Sequence, residues 1–330
     1  MLRVPTTSRE IHLARRPVGE PKPDDFELVT VELPDPGEGE ILVRNRYMSV
    51  DPYMRGRMDD RPSYVPPFEL GKPLMGGTVG EVAGTDELVL HDKGWRESAV
   101  VRRDHVVPLP ALEGVRESAF LGTLGMPGLT AWVGLTEIAP VASGETVFIS
   151  AAAGGVGNVA GQLAAARGCR VIGSAGGPEK VELVRSLGFH EAFDYRAGPA
   201  RSALRELAPD GIDVYFDNVG GEQLEAAVGA LRRGGRIALC GAVAGYNAVE
   251  PPPGPRNLAL LIGKRATVRG FIVADHGAQR EAFLDEVGGL VGSGKMQILE
   301  TVVDGGVEAA PEAFLDMLRG RYRGKVSVAL

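Results

Sequence analysis

The sequence predicts an α/β protein in which an irregular antiparallel β-barrel precedes a doubly wound parallel sheet. Three observations carry that expectation. Residues 11–107 are short β-runs broken by Pro and Gly; from Thr146 onward strand-like and helix-like stretches alternate; and Thr146–Gly157, TVFISAAAGGVG, runs from β-branched residues through close-set glycines into a helical pattern. At 330 residues the chain has the length for about two domains with their own cores.

Taken in order, FELVTVELP, GEILVRNRYMSV, GGTVGEVAG, DELVLHDKGW and SAVVRRDHVVPLP read as barrel strands. After Pro110 the spacing turns helical in SAFLGTLGMPGLTAWVGLTEIA. The strand from Thr146 leads to a helix over Asn158–Arg167 stopped by Gly168, then to a second strand over Cys169–Gly173. A helix over Pro178–Leu187 ends at Gly188, and strands follow at Ala192–Tyr195, Asp213–Asn218 and Arg236–Gly241. Glu222–Arg233 reads as a helix ending in a left-handed glycine cap at Gly234-Gly235. Thr267–Val273 is a strand expected at the far edge of the sheet, where an open edge invites a second copy of the chain and hence a homodimer. Two amphipathic stretches, Gln279–Val291 and Ala310–Leu318, precede a closing KVSVAL expected to return to the barrel. The first domain is then discontinuous, residues 1–118 and 300–330, and the second spans 119–299. The run Pro251–Pro255 is a stiff loop, either beside the active cleft or a neutral linker.

The glycine motif reads AxxGxxG at Ala151, Gly154 and Gly157. The first glycine is expected to turn the chain at positive φ and the last to let helix pack on strand, while the helix start offers N–H groups to a pyrophosphate. Alone such a pattern is weak, but the flanking strands complete a βαβ unit. Where an NAD enzyme places a carboxylate for the ribose, at the end of the second strand, this chain has Ser174, Ala175, Gly176 and Gly177. Lys180, in the first turn of the next helix, is placed to meet a 2′-phosphate, which favours NADPH; the alternative is a solvated helix lysine.

Composition narrows the partners. A net charge of −7 without a basic stripe argues against nucleic acid and against an anionic membrane surface. The two cysteines, Cys169 and Cys240, both sit in β-patterns and read as core residues, which excludes a disulfide framework and a Cys-rich zinc lobe. With neither a signal-peptide pattern nor about 18 uninterrupted apolar residues, the expectation is a cytoplasmic protein.

Six segments together point to one group: SVDPYMRGRM at 49–58, LGKPLMGGTVGEV at 70–82, GMPGLTAWVGL at 125–135, AAAGGVG, FDNVGG at 216–221 and CGAVAGYN at 240–247. The chain resembles the zinc-independent medium-chain dehydrogenase/reductases, in the NADPH-dependent alkenal and prostaglandin reductase branch with leukotriene B4 12-hydroxydehydrogenase, plant double-bond reductases and curcumin reductase. The resemblance covers nearly the whole chain. It implies a GroES-like catalytic domain and a Rossmann domain with the active cleft between them. Zinc members carry a Gly-His-Glu segment where this chain has Met75-Gly76-Gly77, and no cysteine precedes Cys169 to supply a thiolate ligand there. Without a Lewis acid, the natural acceptor is an already activated one, a carbon-carbon double bond conjugated to a carbonyl.

The resemblance implies hydride addition to the β-carbon, with Tyr246 donating to the developing enolate oxygen, the nicotinamide ribose hydroxyl assisting, and Tyr246 or water then supplying a proton. Tyr53 is a second catalytic candidate, and Tyr64 a substrate-pocket candidate; the alternative for each tyrosine is packing. It further implies cofactor contacts from Gly154, Gly155, Val156 and Gly157 at the pyrophosphate, and Lys180 and Tyr195 at the adenosine phosphate. Asn218, Cys240, Gly241, Phe271, Ile272 and Val273 are implied on the ribose and nicotinamide side, with Asn218 equally readable as a turn residue. No metal is expected. His91, His105, His190 and His276 read as surface or structural. Two departures stand out: Tyr322 occupies the place of the family's Asn in Asn-x-Gly-Lys, and the 82–87 loop is short. Quinone reduction and capture of the enolate by ring closure use the same hydride, and a non-catalytic NADPH-binding module is the reading from another class.

Overall fold

In the computed structural model, which describes residues 7–330, antiparallel pairing begins earlier than the hydrophobic pattern suggests. Strand β1 (Thr7–Leu13) pairs with β2 (Phe26–Glu32). The alternation fails as a signal in β1 because Glu10 and His12 are buried along with Ile11 and Leu13. His12 Nε2 and Glu10 Oε2 lie 3.0 Å apart, so the two polar groups satisfy one another. Strand β3 (Glu40–Ser49) leads into the short helix α1 (Tyr53–Arg57), and then come β4 (Thr78–Val82), β5 (Leu88–His91), β6 (Ser98–Arg102) and β7 (Val107–Pro108). β3 is the hub, pairing antiparallel with both β4 and β6. The short 82–87 connection is a tight hairpin turn in which the Val82 amide donates to Glu87 O and the Thr85 amide to Val82 O.

Beyond Leu121 the chain enters its second unit with α2 (Met126–Val133), β8 (Thr146–Ile149), α3 (Gly155–Ala166), β9 (Arg170–Ala175), α4 (Pro178–Ser186), β10 (Glu191–Asp194), α5 (Ala200–Leu207), β11 (Ile212–Asp217), α6 (Gly221–Ala230), β12 (Leu231–Leu239), α7 (Leu260–Lys264), β13 (Thr267–Gly270) and α8 (Arg280–Gly292). Six strands form one parallel sheet in the order β10-β9-β8-β11-β12-β13. This is the doubly wound order that reverses between its first and fourth strands, here β8 and β11. Phe148, Tyr215 and Phe193 stack through the core beneath it, with Phe148 and Tyr215 ring centres 4.8 Å apart.

The chain closes with β14 (Glu300–Val303), α9 (Ala310–Leu318) and β15 (Lys325–Ala329). β15 pairs antiparallel with β3, Ser327 opposite Ser49, as expected of KVSVAL. Phe314 of α9 meets Trp95 and Phe26 edge-on, so one core is drawn from both ends of the sequence. The first unit holds the chain through Leu121 with Glu300–Tyr322 and Val326–Leu330; the second holds Gly122–Leu299 and the three residues Arg323–Lys325. No helix among the described residues is long and apolar enough to cross a membrane.

Several local expectations are corrected. Helix α3 starts at Gly155 rather than Asn158, and Gly154 is extended at φ −88°; the positive φ falls on Ala151, at 49°. Helix α6 ends at Ala230, because Leu231 already pairs with Ile212 of β11; Gly234, at φ 80°, belongs to an irregularity in β12 and caps no helix. Strand β13 ends at Gly270, short of Val273. His91 ends β5 and is buried, which places it on the structural side of the surface-or-structural reading.

Candidate active site

The carboxyl ends of the parallel strands gather the second unit's candidate residues, and the glycine turn after β8 is the first of them. The Gly154 amide donates to Ala151 O at 2.9 Å, closing the turn, and no side chain caps α3. A Cβ on Gly157 would stand 2.3 Å from Ala151 O, so helix and turn touch backbone to backbone. From the far end of the chain, the Gly324 amide donates to Ala153 O at 2.7 Å, and Lys325 lies over Gly155. The Arg323–Lys325 segment is therefore built into the glycine turn. An uncapped helix start behind side-chain-free glycines is a cradle for an anion.

At the end of β11 a buried network fixes the neighbouring turn. Asp217 Oδ1 accepts from the Tyr215 hydroxyl at 2.7 Å and from the Val219 and Gly220 amides at 2.9 and 2.8 Å. Ser150, at the end of β8, accepts the Asn218 amide on its hydroxyl and the Asn218 Nδ2 on its carbonyl. Asn218 thus ties the two strands that flank the reversal of strand order, which is the turn role. Burial raises the Asp217 carboxyl above the ordinary range, opposed by those donors.

Next to it, the end of β12 carries Cys240, Gly241 and Tyr246. The Cys240 and Gly241 amides both donate to Asp217 O. Cys240 is partly exposed as a residue, yet its thiol is enclosed and pushed up to about 12 by burial and by Asp217, which makes it inert as a nucleophile. The Tyr246 hydroxyl accepts from the Ala242 amide at 3.4 Å and lies over the bare Cα of Gly241. A phenol can both accept through its oxygen and donate its O–H. Phe271 and Ile272 follow β13 as half-buried loop residues and the half-buried Val273 opens a 3-10 helix, with Phe271 edge-on to His276.

The end of β9 is cationic. Lys180 is half-buried, and burial together with Arg196 and Arg323 lowers its pKa. The Tyr195 hydroxyl and the Arg196 guanidinium hang over Gly176, where a Cβ would meet each at 3.0 Å. Arg196 and Arg323 escaped the sequence reading. The signal for Arg196 was its place beside Tyr195; Arg323 sits at the variable position of a motif read for its other residues. Two carboxylates also come here unseen: Asp194 Oδ1 accepts the Gly177 and Arg196 amides, and Arg323 Nη2 donates to Glu179 Oε2.

Within the first unit, Tyr53 and Arg57 begin and end α1, four residues apart on one helix face. Arg57 lies over the Phe68 ring at 4.1 Å and donates to Pro66 O. Burial and Asp51 push the Tyr53 phenol above its ordinary range, so it keeps its proton; Arg57 pulls the other way. Tyr64 is 63% exposed and adds to the same electrostatic cluster. In the Met75-Gly76-Gly77 segment a Cβ on Gly76 would meet the flexible end of Met54, Cε, at 2.3 Å, and one on Gly77 would stand in ordinary contact with Leu121 Cδ2 at 3.6 Å. Among the described residues no three His, Cys, Asp or Glu side chains group as metal ligands. The other histidines make structural contacts or face solvent: His190 Nδ1 accepts the Val171 amide, His276 pairs with Glu137, and His105 is exposed.

Residues 9–109 match the family model described as the N-terminal domain of oxidoreductase, and residues 155–287 the one described as zinc-binding dehydrogenase. The NADPH-dependent curcumin reductase of Escherichia coli (strain K12) is 41% identical over 96% of this chain and 95% of its own length. The chain belongs to the medium-chain dehydrogenase/reductase family. Within that family it falls in the branch of alkenal, prostaglandin and curcumin reductases. The NADP(+)-dependent 2-alkenal reductase of Nicotiana tabacum is 40% identical over 97% of this chain and 96% of its own length. The crystal structure of Vibrio vulnificus CurA in complex with NADPH superposes with a TM-score of 0.92 at 39% identity, covering 97% of this chain and 98% of that one.

Proposed function

We propose that this chain is an NADPH-dependent reductase of α,β-unsaturated carbonyl compounds, working without zinc. The observation that carries the cofactor half is the cationic end of β9, where Lys180, Arg196 and Arg323 converge beside a glycine turn open to a pyrophosphate. The curcumin and 2-alkenal reductases above, both named for NADP-linked chemistry, support the same acceptor class here.

The residues fit the cofactor. Gly154, Gly155, Val156 and Gly157 would hold the pyrophosphate at the uncapped α3 start, and Lys180 and Tyr195 would meet the adenosine phosphate. Asn218, Cys240, Gly241 and Phe271–Val273 line the ribose and nicotinamide side. When bound, NADPH supplies a hydride from nicotinamide C4. Tyr246 holds its proton toward the substrate carbonyl oxygen, lowering the cost of negative charge gathering there as the enolate forms. In the first unit Tyr53, kept neutral by burial, stays the second catalytic candidate and Tyr64 the substrate-pocket candidate. Zinc independence is supported by the residues of Met75-Gly76-Gly77 themselves, which offer no imidazole or carboxylate where zinc members carry Gly-His-Glu.

The chain further reads as a homodimer. β13 pairs only with β12 among the described residues, its four residues are all exposed, and Ile262 beside it is 82% exposed. A sedimentation measurement giving a dimer supports this, and a monomer at micromolar concentration opposes it.

The reductase reading is tested by NADPH oxidation with a linear enone, an alkenal and a quinone, with products identified by mass. Saturated carbonyl products with the enone and alkenal support it. Turnover of the quinone alone, a cyclised product, or cofactor binding without turnover each points to one of the rival readings.

A further inference from the structure

Glu179 is an awkward neighbour for a 2′-phosphate. It stands one residue before Lys180 in the first turn of α4, a carboxylate where the second phosphate of NADPH is read to sit. Arg323 Nη2 donates to Glu179 Oε2 at 2.6 Å, with the two side chains 47% and 82% exposed. Arg323 is brought there by backbone, because the next residue, Gly324, bridges to Gly154 and donates to Ala153 O at 2.7 Å. Arg323 and Arg196 also act on Lys180, so the cation paired with Glu179 belongs to the same cationic group.

We infer that Arg323 is a cofactor-specificity residue: by neutralising Glu179 it keeps that carboxylate from opposing the 2′-phosphate beside Lys180. The inference rests on the NADPH reading above. Its consequence is confined to the phosphorylated cofactor, because NADH presents no charge at this point. The effect is electrostatic and partly exposed to solvent, so salt weakens it.

The test is direct binding of NADPH and NADH to the full chain, read by nicotinamide fluorescence or calorimetry at low and high salt. The proteins are wild type, Arg323→Ala, Arg323→Lys, Glu179→Gln and the Arg323→Ala/Glu179→Gln double variant. Arg323→Ala is expected to weaken NADPH about fivefold at low salt, the scale of an exposed ion pair, and to leave NADH unchanged. Arg323→Lys is expected to restore most of the loss. In the Glu179→Gln background the loss on removing Arg323 is expected to vanish, because no carboxylate is left to neutralise. Equal weakening of both cofactors by Arg323→Ala overturns the inference, as the signature of a distorted glycine turn. So does an NADPH loss that persists in the Glu179→Gln background. A wild type that binds NADPH no better than NADH overturns the cofactor reading itself, a result separate from either of these.

Discussion

A side chain on Gly157 would place its Cβ 2.3 Å from the carbonyl oxygen of Ala151, whereas one on Gly155 would meet its nearest neighbour, Lys325 Cα, at 3.4 Å. The two glycines therefore do different work in one turn. Gly157→Ala forces the turn and α3 apart and is expected to cost about 1–3 kcal/mol of stability, read as a lower denaturant midpoint, together with NADPH affinity. Gly155→Ala is expected to leave the midpoint close to wild type while weakening NADPH, since the added methyl stands where the pyrophosphate approaches. Equal midpoints for the two variants would contradict this division.

Tyr246 is expected to act on the chemical step. Tyr246→Phe removes only the hydroxyl that sits over Gly241, so NADPH binding should hold while kcat for an enone falls by about tenfold or more. A changed NADPH affinity with unchanged kcat would make Tyr246 a packing residue.

Asp217 is expected to matter to both folding and cofactor. Asp217→Ala strands the Tyr215 hydroxyl and the Val219 and Gly220 amides, a loss of about 3 kcal/mol on the scale of buried networks. Because Asn218 and Gly241 flank it, NADPH affinity should fall in the same variant. Unfolding curves and cofactor titration check the two effects separately.

His91 gives the stability a definite pH slope. Burial, helped by Arg96 and Lys93, depresses its folded-state pKa from 6.5 to about 3. The unfolded chain therefore takes up a proton at a pH where the folded chain refuses it. The contribution is full above pH 6.5 and is lost as pH falls toward about 3. His91→Asn, which keeps an acceptor for the Lys93 amide, is expected to flatten stability across that window in urea unfolding.

The middle of the parallel sheet was legible because its strands are almost wholly buried and lie close to glycines, as in Thr146–Ile149 and Ile212–Asp217. β1 was not, because Glu10 and His12 pair with one another inside and break the alternation. The glycine turn was legible as a motif but not in its torsions: positive φ falls on Ala151, and sequence alone assigns that burden to a glycine. At the candidate site, local motifs point to residues such as Gly154, Gly157, Lys180 and Tyr246, while Arg196, Arg323 and Glu179 come together only when β9, β10 and the chain's end are placed. Charge clusters of that kind are made by tertiary structure and leave no spacing to read.

The central claim is that hydride goes to the β-carbon of a conjugated carbonyl, and NADPH deuterated at nicotinamide C4 tests it most directly. Incubated with a simple enone, the protein is predicted to give a saturated ketone carrying deuterium at the β-carbon and a solvent proton at the α-carbon. Deuterium at the carbonyl carbon, in an allylic alcohol, would contradict the account.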